Sequence, residues 1–321
     1  MATLHNPSES ARHVTGPRAG ALAVLLAAGL LAGCSMKQMA VNMIGDAIAG
    51  GGDVYTSDND PELVYEAIPF GLKTYESLLD TSPDHLGLRL AAARGFGAYA
   101  YLMTDRADRL DARDVTRARQ LRRRAGKLFL RGRDHALHAL ETRHPGWGAL
   151  LREDRDVALA ALEVEDVPYL YWGGATWAGA LGADKNDLNL VAELPTAGAM
   201  VGRVLELDET YGEGAAHEFF IAYEGGRPGG SAELARAYYA RALELSGGLR
   251  GSVHLALAEA VTVQEQDLEA FRALIAATLA VEPDAVRRHR LVNTIARRRA
   301  LWLEARIPDL FLDADLADNA Q

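Results

Sequence analysis

Four groups of side chains have types and spacing that could do chemistry. Gly95-Phe96-Gly97-Ala98-Tyr99-Ala100 spells the G-x-G-x-x-A pattern of a dinucleotide loop. That loop works where it follows a strand and opens a helix, so that backbone N–H groups meet a pyrophosphate. Here it lies inside LRLAAARGFGAYAYL, a run with helical spacing, and its glycines read as points of close helix packing. Asp134, His135, His138 and Glu141 could share part of a helix surface, a spacing that metal ligands use. Arg131, Arg133 and Arg143 surround them, and no HExxH pair or cysteine partner is present. An exposed polar face is expected there, and no metal. His217 in GAAHEFF sits among apolar neighbours and reads as a hydrogen-bonded core histidine, not a general base. Asp313, Asp315 and Asp318 lack the glycine and closing glutamate of a calcium loop. The chain has no G-x-S-x-G elbow, no phosphate loop and no cysteine nucleophile. A non-enzymatic protein without a cofactor is expected.

The uncharged run VPYLYWGGATWAGALGA, Val167 to Ala183, lies between Asp166 and Asp184 and holds four aromatics and four glycines. It is at the lower limit of ~17 residues for crossing a bilayer. It also opens as a soluble helix does, with Asp166 at the N-cap position and Pro168 in the first turn. Being apolar all round, it must be buried. At about 100° per residue, Trp172 and Trp177 lie roughly 140° apart. Between them runs a low stripe of Tyr169, Gly173, Thr176 and Ala180, with Leu170, Ala178 and Leu181 on the other side. Two readings stay open. Either the stripe receives a neighbouring helix, or Tyr169, Trp172, Gly173, Thr176 and Trp177 form the wall of an apolar pocket with one hydroxyl.

The elements that would position these groups are helices. Asp60-Pro61-Glu62 is a strong helix start, an acid at the cap followed by proline at the first position. From there LRLAAARGFGAYAYLM, RARQLRRRAGKLFLRGRDHALHALE, residues 188–207, ELARAYYARALEL and LEAFRALIAATLAVE repeat apolar residues at three and four. No run alternates with period two. Short breaks fall at Ser82-Pro83, His144-Pro145-Gly146, Asp208-Glu209, Gly225 to Gly230, Ser246 to Gly248 and Pro283-Asp284. Ala235, Tyr239, Ala242 and Gly247 match the second helix of a tetratricopeptide repeat, in which alanine admits a close neighbour and the aromatic fills the gap. Phe271, Ile275, Thr278 and Pro283, and Gly71, Tyr75, Leu78 and Pro83, are weaker copies. The expected fold is all-α, an irregular tetratricopeptide-like repeat (an α-α superhelix) of about a dozen antiparallel helices.

The N-terminus sets the compartment. Arg12 and Arg18 precede an apolar run from Ala19 to Ala32, as in a secretory signal peptide. The run ends in Leu31-Ala32-Gly33-Cys34, which resembles the lipobox of bacterial lipoproteins, so cleavage before Cys34 and its lipidation are expected. Cys34 is the only cysteine, so no internal disulfide can form. Ser35 after it favours the outer membrane by resemblance to lipoprotein sorting rules. The expected organisation is a signal peptide over 1–33, a lipidated N-terminus and flexible tether over 34–59, a helical-repeat body over 60–312 and an acidic tail over 313–321. The net charge of −10 gives no general attraction to nucleic acid. The arginine clusters at 122–124, 287–288 and 297–299 read as solvated faces or ion-pair networks.

DPELVYEAIPFGLKTYESLL, LYWGGATWAGAL, VGRVLELDETYGEGAAHEFF, GGSAELARAYYARALELSGG and HRLVNTIARRRALWLEARIPDLF stand in this order over residues 60 to 311. With the lipobox, they give a chain that resembles the TRAP-transporter-associated tetratricopeptide lipoproteins, the TatT component family. The resemblance implies a periplasm-facing homotrimer with a pore or cleft in each protomer for a hydrophobic ligand. It implies partnership with the solute-binding protein of an ion-gradient-driven TRAP transporter, and no enzymatic activity. The chain departs from the family in the Gly225–Gly230 segment, which reads as a flexible loop, and in an arginine-rich 113–133 helix. A competing expectation is an envelope assembly scaffold whose repeat grooves hold a protein or peptide.

Overall fold

The computed structural model describes Met1 and residues 38–47, 50, 53–110, 113–184 and 187–312. The signal segment, Cys34 and the acidic tail lie outside the described residues. Among the described residues there is no strand. After helical segments at 38–47 and Asp53–Thr56, the body opens with α1 (Pro61–Leu79), α2 (Leu86–Leu110) and α3 (Val115–Arg143). The middle is α4 (Trp147–Glu153), α5 (Arg155–Ala160), α6 (Val167–Ala183) and α7 (Leu188–Asp208). The C-terminal part is α8 (Ala215–Gly226), α9 (Ala232–Leu245), α10 (Gly251–Leu257), α11 (Leu268–Ala280) and α12 (Arg290–Glu304).

Local chemistry sets these boundaries. The Asp60 carboxylate accepts from the N–H groups of Glu62 and Leu63 at 3.0 and 3.1 Å, which starts α1 as its sequence predicts. Ser231 caps α9 through Leu234 N–H, and Gly247 and Gly248 end that segment at φ of 61° and 71°. Ala235 and Ala242 of α9 are fully buried, and the Tyr239 hydroxyl reaches His254 Nδ1 of α10 at 2.8 Å. This is the repeat chemistry expected of that helix. In α1 the core face is Val64, Ile68, Leu72 and Leu79, so the Gly71-Tyr75-Leu78 copy is offset from it.

Three apolar clusters follow the chain. One joins α1, α2 and α3, the next centres on α4 to α8, and the last joins α8 to α12. The most extensive packing is of α2 on α3, α3 on α6 and α6 on α7.

Three expectations change. Residues 38–47, read as flexible tether, form a helix fastened to the body: Ser82 Oγ donates to Asn42 Oδ1 at 2.7 Å. The Gly225–Gly230 segment is pinned, because the buried Glu224 carboxylate holds Arg227 at 2.8 Å and Ser231 N–H at 3.2 Å. Asp166 does not cap α6. It ends a 3₁₀ turn, and its carboxylate turns back to accept from Glu163 N–H at 3.0 Å, Arg143 Nε at 2.5 Å and His144 Nε2 at 2.9 Å.

Candidate functional site

Small residues bring the central helices together. A Cβ on Gly97 of α2 would stand 3.0 Å from the Thr176 methyl and 3.2 Å from the Trp172 ring. A Cβ on Gly132 of α3 would stand 3.1 Å from the Ala93 carbonyl and 3.2 Å from that methyl. Thr176 of α6 is thus the node at which three helices meet. Its hydroxyl is spent within its own helix, donating to Trp172 O at 2.5 Å. Gly173 faces Met200 and Ala136, and Gly174 faces Ala197 and Val201. The G-x-G-x-x-A run is helical, and its glycines serve close packing, as expected.

The candidate wall residues therefore go to separate neighbours. Tyr169, Gly173 and Thr176 are buried between helices. Trp177 points outward, where its indole N–H donates to Glu193 at 2.8 Å and Arg133 lies 4.8 Å over the ring. Trp172 is half-buried beside Tyr171, edge to face at 5.4 Å, and Tyr171 in turn lies 5.4 Å from Tyr211. The two indoles have different side-chain partners.

A second group of residues lies on the α2 side of Trp172, whose ring faces Gly97. The helix α2 packs against α1, α3 and α6, yet Arg94, Ala98 and Tyr101 remain exposed along its remaining side. Tyr101 keeps 42% of its surface open. Burial nevertheless pushes its phenol up to about 12, with Arg299, Glu259, Asp105 and Glu218 all near enough to act on it. A side chain so exposed and yet so surrounded by protein sits in a recess between elements. Tyr171 behaves the same way: it is half-buried, and burial, then Glu218, push its phenol up. Among the described residues neither phenol has a hydrogen-bond partner.

Charged side chains span the gap between the N-terminal and C-terminal helices. Arg299 of α12 holds Glu259 at 2.5 Å and Asp108 of α2 at 3.0 Å, and Asp108 also takes Arg122 of α3 at 2.9 Å. Glu259 is presented by a π turn, Ala258–Thr262, a local unwinding that often marks functional positions. Arg298 bridges the buried Asp105 at 2.7 Å and Glu62 at 2.9 Å. Burial opposes the charge on Arg299, but hydrogen bonds to Glu259 and the field of Asp108 hold it firmly protonated. Glu218 of α8 pairs with Arg250 at 2.5 Å on the Tyr171 side. Arg298 and Arg299 of the 297–299 cluster thus form an ion-pair network, one of the two forms expected, while Arg297 donates to the Leu279 carbonyl. Together these residues offer aromatic faces, two phenols and neutralised charges, groups suited to holding a small amphipathic molecule.

The other chemical candidates are structural. Among the described residues no set of His, Cys, Asp or Glu could hold a metal. His217 is buried and meets Glu209 at 3.2 Å; burial lowers its pKa. His135 is a correction, since it is buried and not on an exposed face. It stacks on Phe96 at 5.5 Å and receives Arg89 Nη1 at 3.0 Å. Two clefts of 470 Å³ lie on the surface. One is beside Asn42 and Ser82, the other beside Val54 and Arg287. Among the described residues no helix is long and apolar enough to cross a membrane.

Comparison with known proteins agrees with this architecture's sequence signature. A family model described as the TRAP transporter T-component matches residues 57–311. An uncharacterized protein of Treponema pallidum (strain Nichols) is 28% identical over 307 residues, covering 88% of this chain and 95% of that relative.

Proposed function

The chain belongs to the TRAP transporter T-component family, and from that premise we propose that it holds or passes on a small amphipathic solute for such a transporter. The observation that carries this reading is the recess at Tyr101 and Tyr171, whose phenols are partly open and are pushed up by burial. In this reading α6 is the wall. Trp172 borders the solute, Tyr169, Gly173 and Thr176 hold the wall from behind, and Trp177 fixes its outer edge. The body works as a homotrimer, lipidated at Cys34 on the periplasmic face of the outer membrane, and meets a periplasmic solute-binding protein. It does no covalent chemistry.

The test fills the recess. Ala98 lies on the open stripe of α2 between Arg94 and Tyr101, so Ala98→Trp should occupy the recess without disturbing a core. Binding of an apolar fluorescent probe, 1-N-phenylnaphthylamine, should fall at least about tenfold. Thermal stability and native mass should be unchanged. Unaltered probe binding in this variant rejects the site. A native mass spectrum without a trimer, together with a pull-down that recovers no solute-binding protein, rejects the assembly.

A further inference from the structure

The segment over 38–47 is built inside out for a helix on a water-exposed surface. Its body side is Val41, Asn42 and Gly45. Asn42 holds Ser82, its carbonyl meets His85 Nε2 at 3.3 Å, and a Cβ on Gly45 would stand 2.7 Å from His85 and 2.9 Å from Leu88. Helices that cover a body turn polar residues outward. This one turns out Met39, Met43 and Ile44, which are 60, 69 and 50% exposed, with Ala40 and Ala47 also exposed. At about 100° per residue these five cover an arc of roughly 140° that contains no polar side chain. Gln38 and Asp46 fall outside the arc.

We propose that this face lies in the interfacial layer of a lipid bilayer, so that the protein sits on its membrane at a fixed orientation instead of hanging from a long tether. The occupant follows from chain length. Cys34 stands four residues before Gln38, and four extended residues reach at most about 14 Å. A lipid-bearing Cys34 therefore keeps the start of this helix within about 14 Å of the bilayer surface. Amphipathic helices bury their apolar face ~5–10 Å into the headgroup and acyl boundary. Lipid and helix act together, since one acyl chain alone gives only marginal binding. The inference rests on the reading of Cys34 as lipidated.

The experiment uses the full mature chain, made in a bacterium that processes lipoproteins and reconstituted in phosphatidylethanolamine–phosphatidylglycerol vesicles. Met43→Cys and, separately, Arg123→Cys carry an environment-sensitive fluorophore, and the vesicles carry a spin-labelled lipid quencher. Emission from position 43 should be quenched about twofold, and emission from position 123, on the exposed face of α3, should not change. Adding Met39→Asp and Ile44→Asp should abolish the quenching while mass spectrometry shows the Cys34 lipid intact. An acylated protein whose position 43 is not quenched overturns the proposal and leaves the anchor standing. An unmodified Cys34 overturns the anchor and the proposal with it. Concentration-dependent self-association that Met39→Asp and Ile44→Asp abolish would assign the face to a second copy and also overturn it.

Discussion

Gly132 of α3 leaves just enough room for the methyl of Thr176 on α6, because a Cβ at Gly132 would come within 3.2 Å of that methyl and 3.1 Å of the Ala93 carbonyl. The second of these neighbours is backbone, which cannot rotate away. Gly132→Ala is therefore expected to cost about 1–3 kcal/mol through overpacking. Helix propensity alone would make the same change favourable by roughly 1 kcal/mol. Chemical denaturation of the two proteins decides between these terms, since a rise in stability would mean that α2, α3 and α6 are not locked at this node.

The Asp166 carboxylate gives a pH signature. It is buried, and although burial works against its charge, the Glu163 N–H, Arg143 and His144 hold its pKa below the ordinary 3.8. A lowered carboxylate stabilises the fold fully above the unfolded value, and the benefit is lost as pH falls through the folded value. Unfolding midpoints should therefore drop below about pH 4. Asp166→Asn should flatten that drop. At neutral pH it should cost about 2 kcal/mol, because the partly open Arg143 side chain rehydrates part of its charge.

Helix starts, breaks and close contacts were legible in the sequence because each rests on neighbours in the chain. Asp60-Pro61-Glu62, the glycines at 95 and 97, and Ala235-Tyr239-Ala242 carry their physics within one or two turns. The recess at Tyr101 was not legible. Tyr101, Tyr171, Glu218, Glu259 and Arg299 lie on α2, α6, α8, the π turn and α12, and no local pattern links them. The stripe Arg94, Ala98 and Tyr101 looks like any solvent face until a distant helix is placed opposite. The helix at 38–47 was obscured for another reason. Its apolar face points away from the body, and glycines at 45 and 50–52 suggested a loose spacer.

His135 should stay neutral far into the acid range. Burial, then Arg89, lower its pKa from 6.5 to about 4. A base with a lowered folded pKa stabilises fully above its unfolded value and loses that benefit as pH falls from 6.5 through about 4. The total at stake is roughly 3 kcal/mol. NMR titration should find this imidazole still unprotonated at about pH 5, when an exposed histidine is mostly charged. Protonation near pH 6.5 would contradict the packing of Arg89 and Phe96 against it.

Arg299 and Glu259 give the last prediction, which concerns the ion pairs near Tyr101. Arg299 of α12 meets Glu259 of the π turn at 2.5 Å and reaches across to Asp108 of α2 at 3.0 Å. Removing one partner leaves the other charged in a half-buried site. Arg299→Met alone should therefore cost about 3–5 kcal/mol, because Glu259 loses its partner while Asp108 keeps Arg122. Adding Glu259→Met should restore a large part of that loss, since an apolar pair in place of an ion pair is often neutral. Equal losses in the single and double variants, by denaturant titration, would show that the pair is not coupled. Binding of 1-N-phenylnaphthylamine should survive in the double variant, because Ala98 and Tyr101 on α2 and Tyr171 on α6 are left in place.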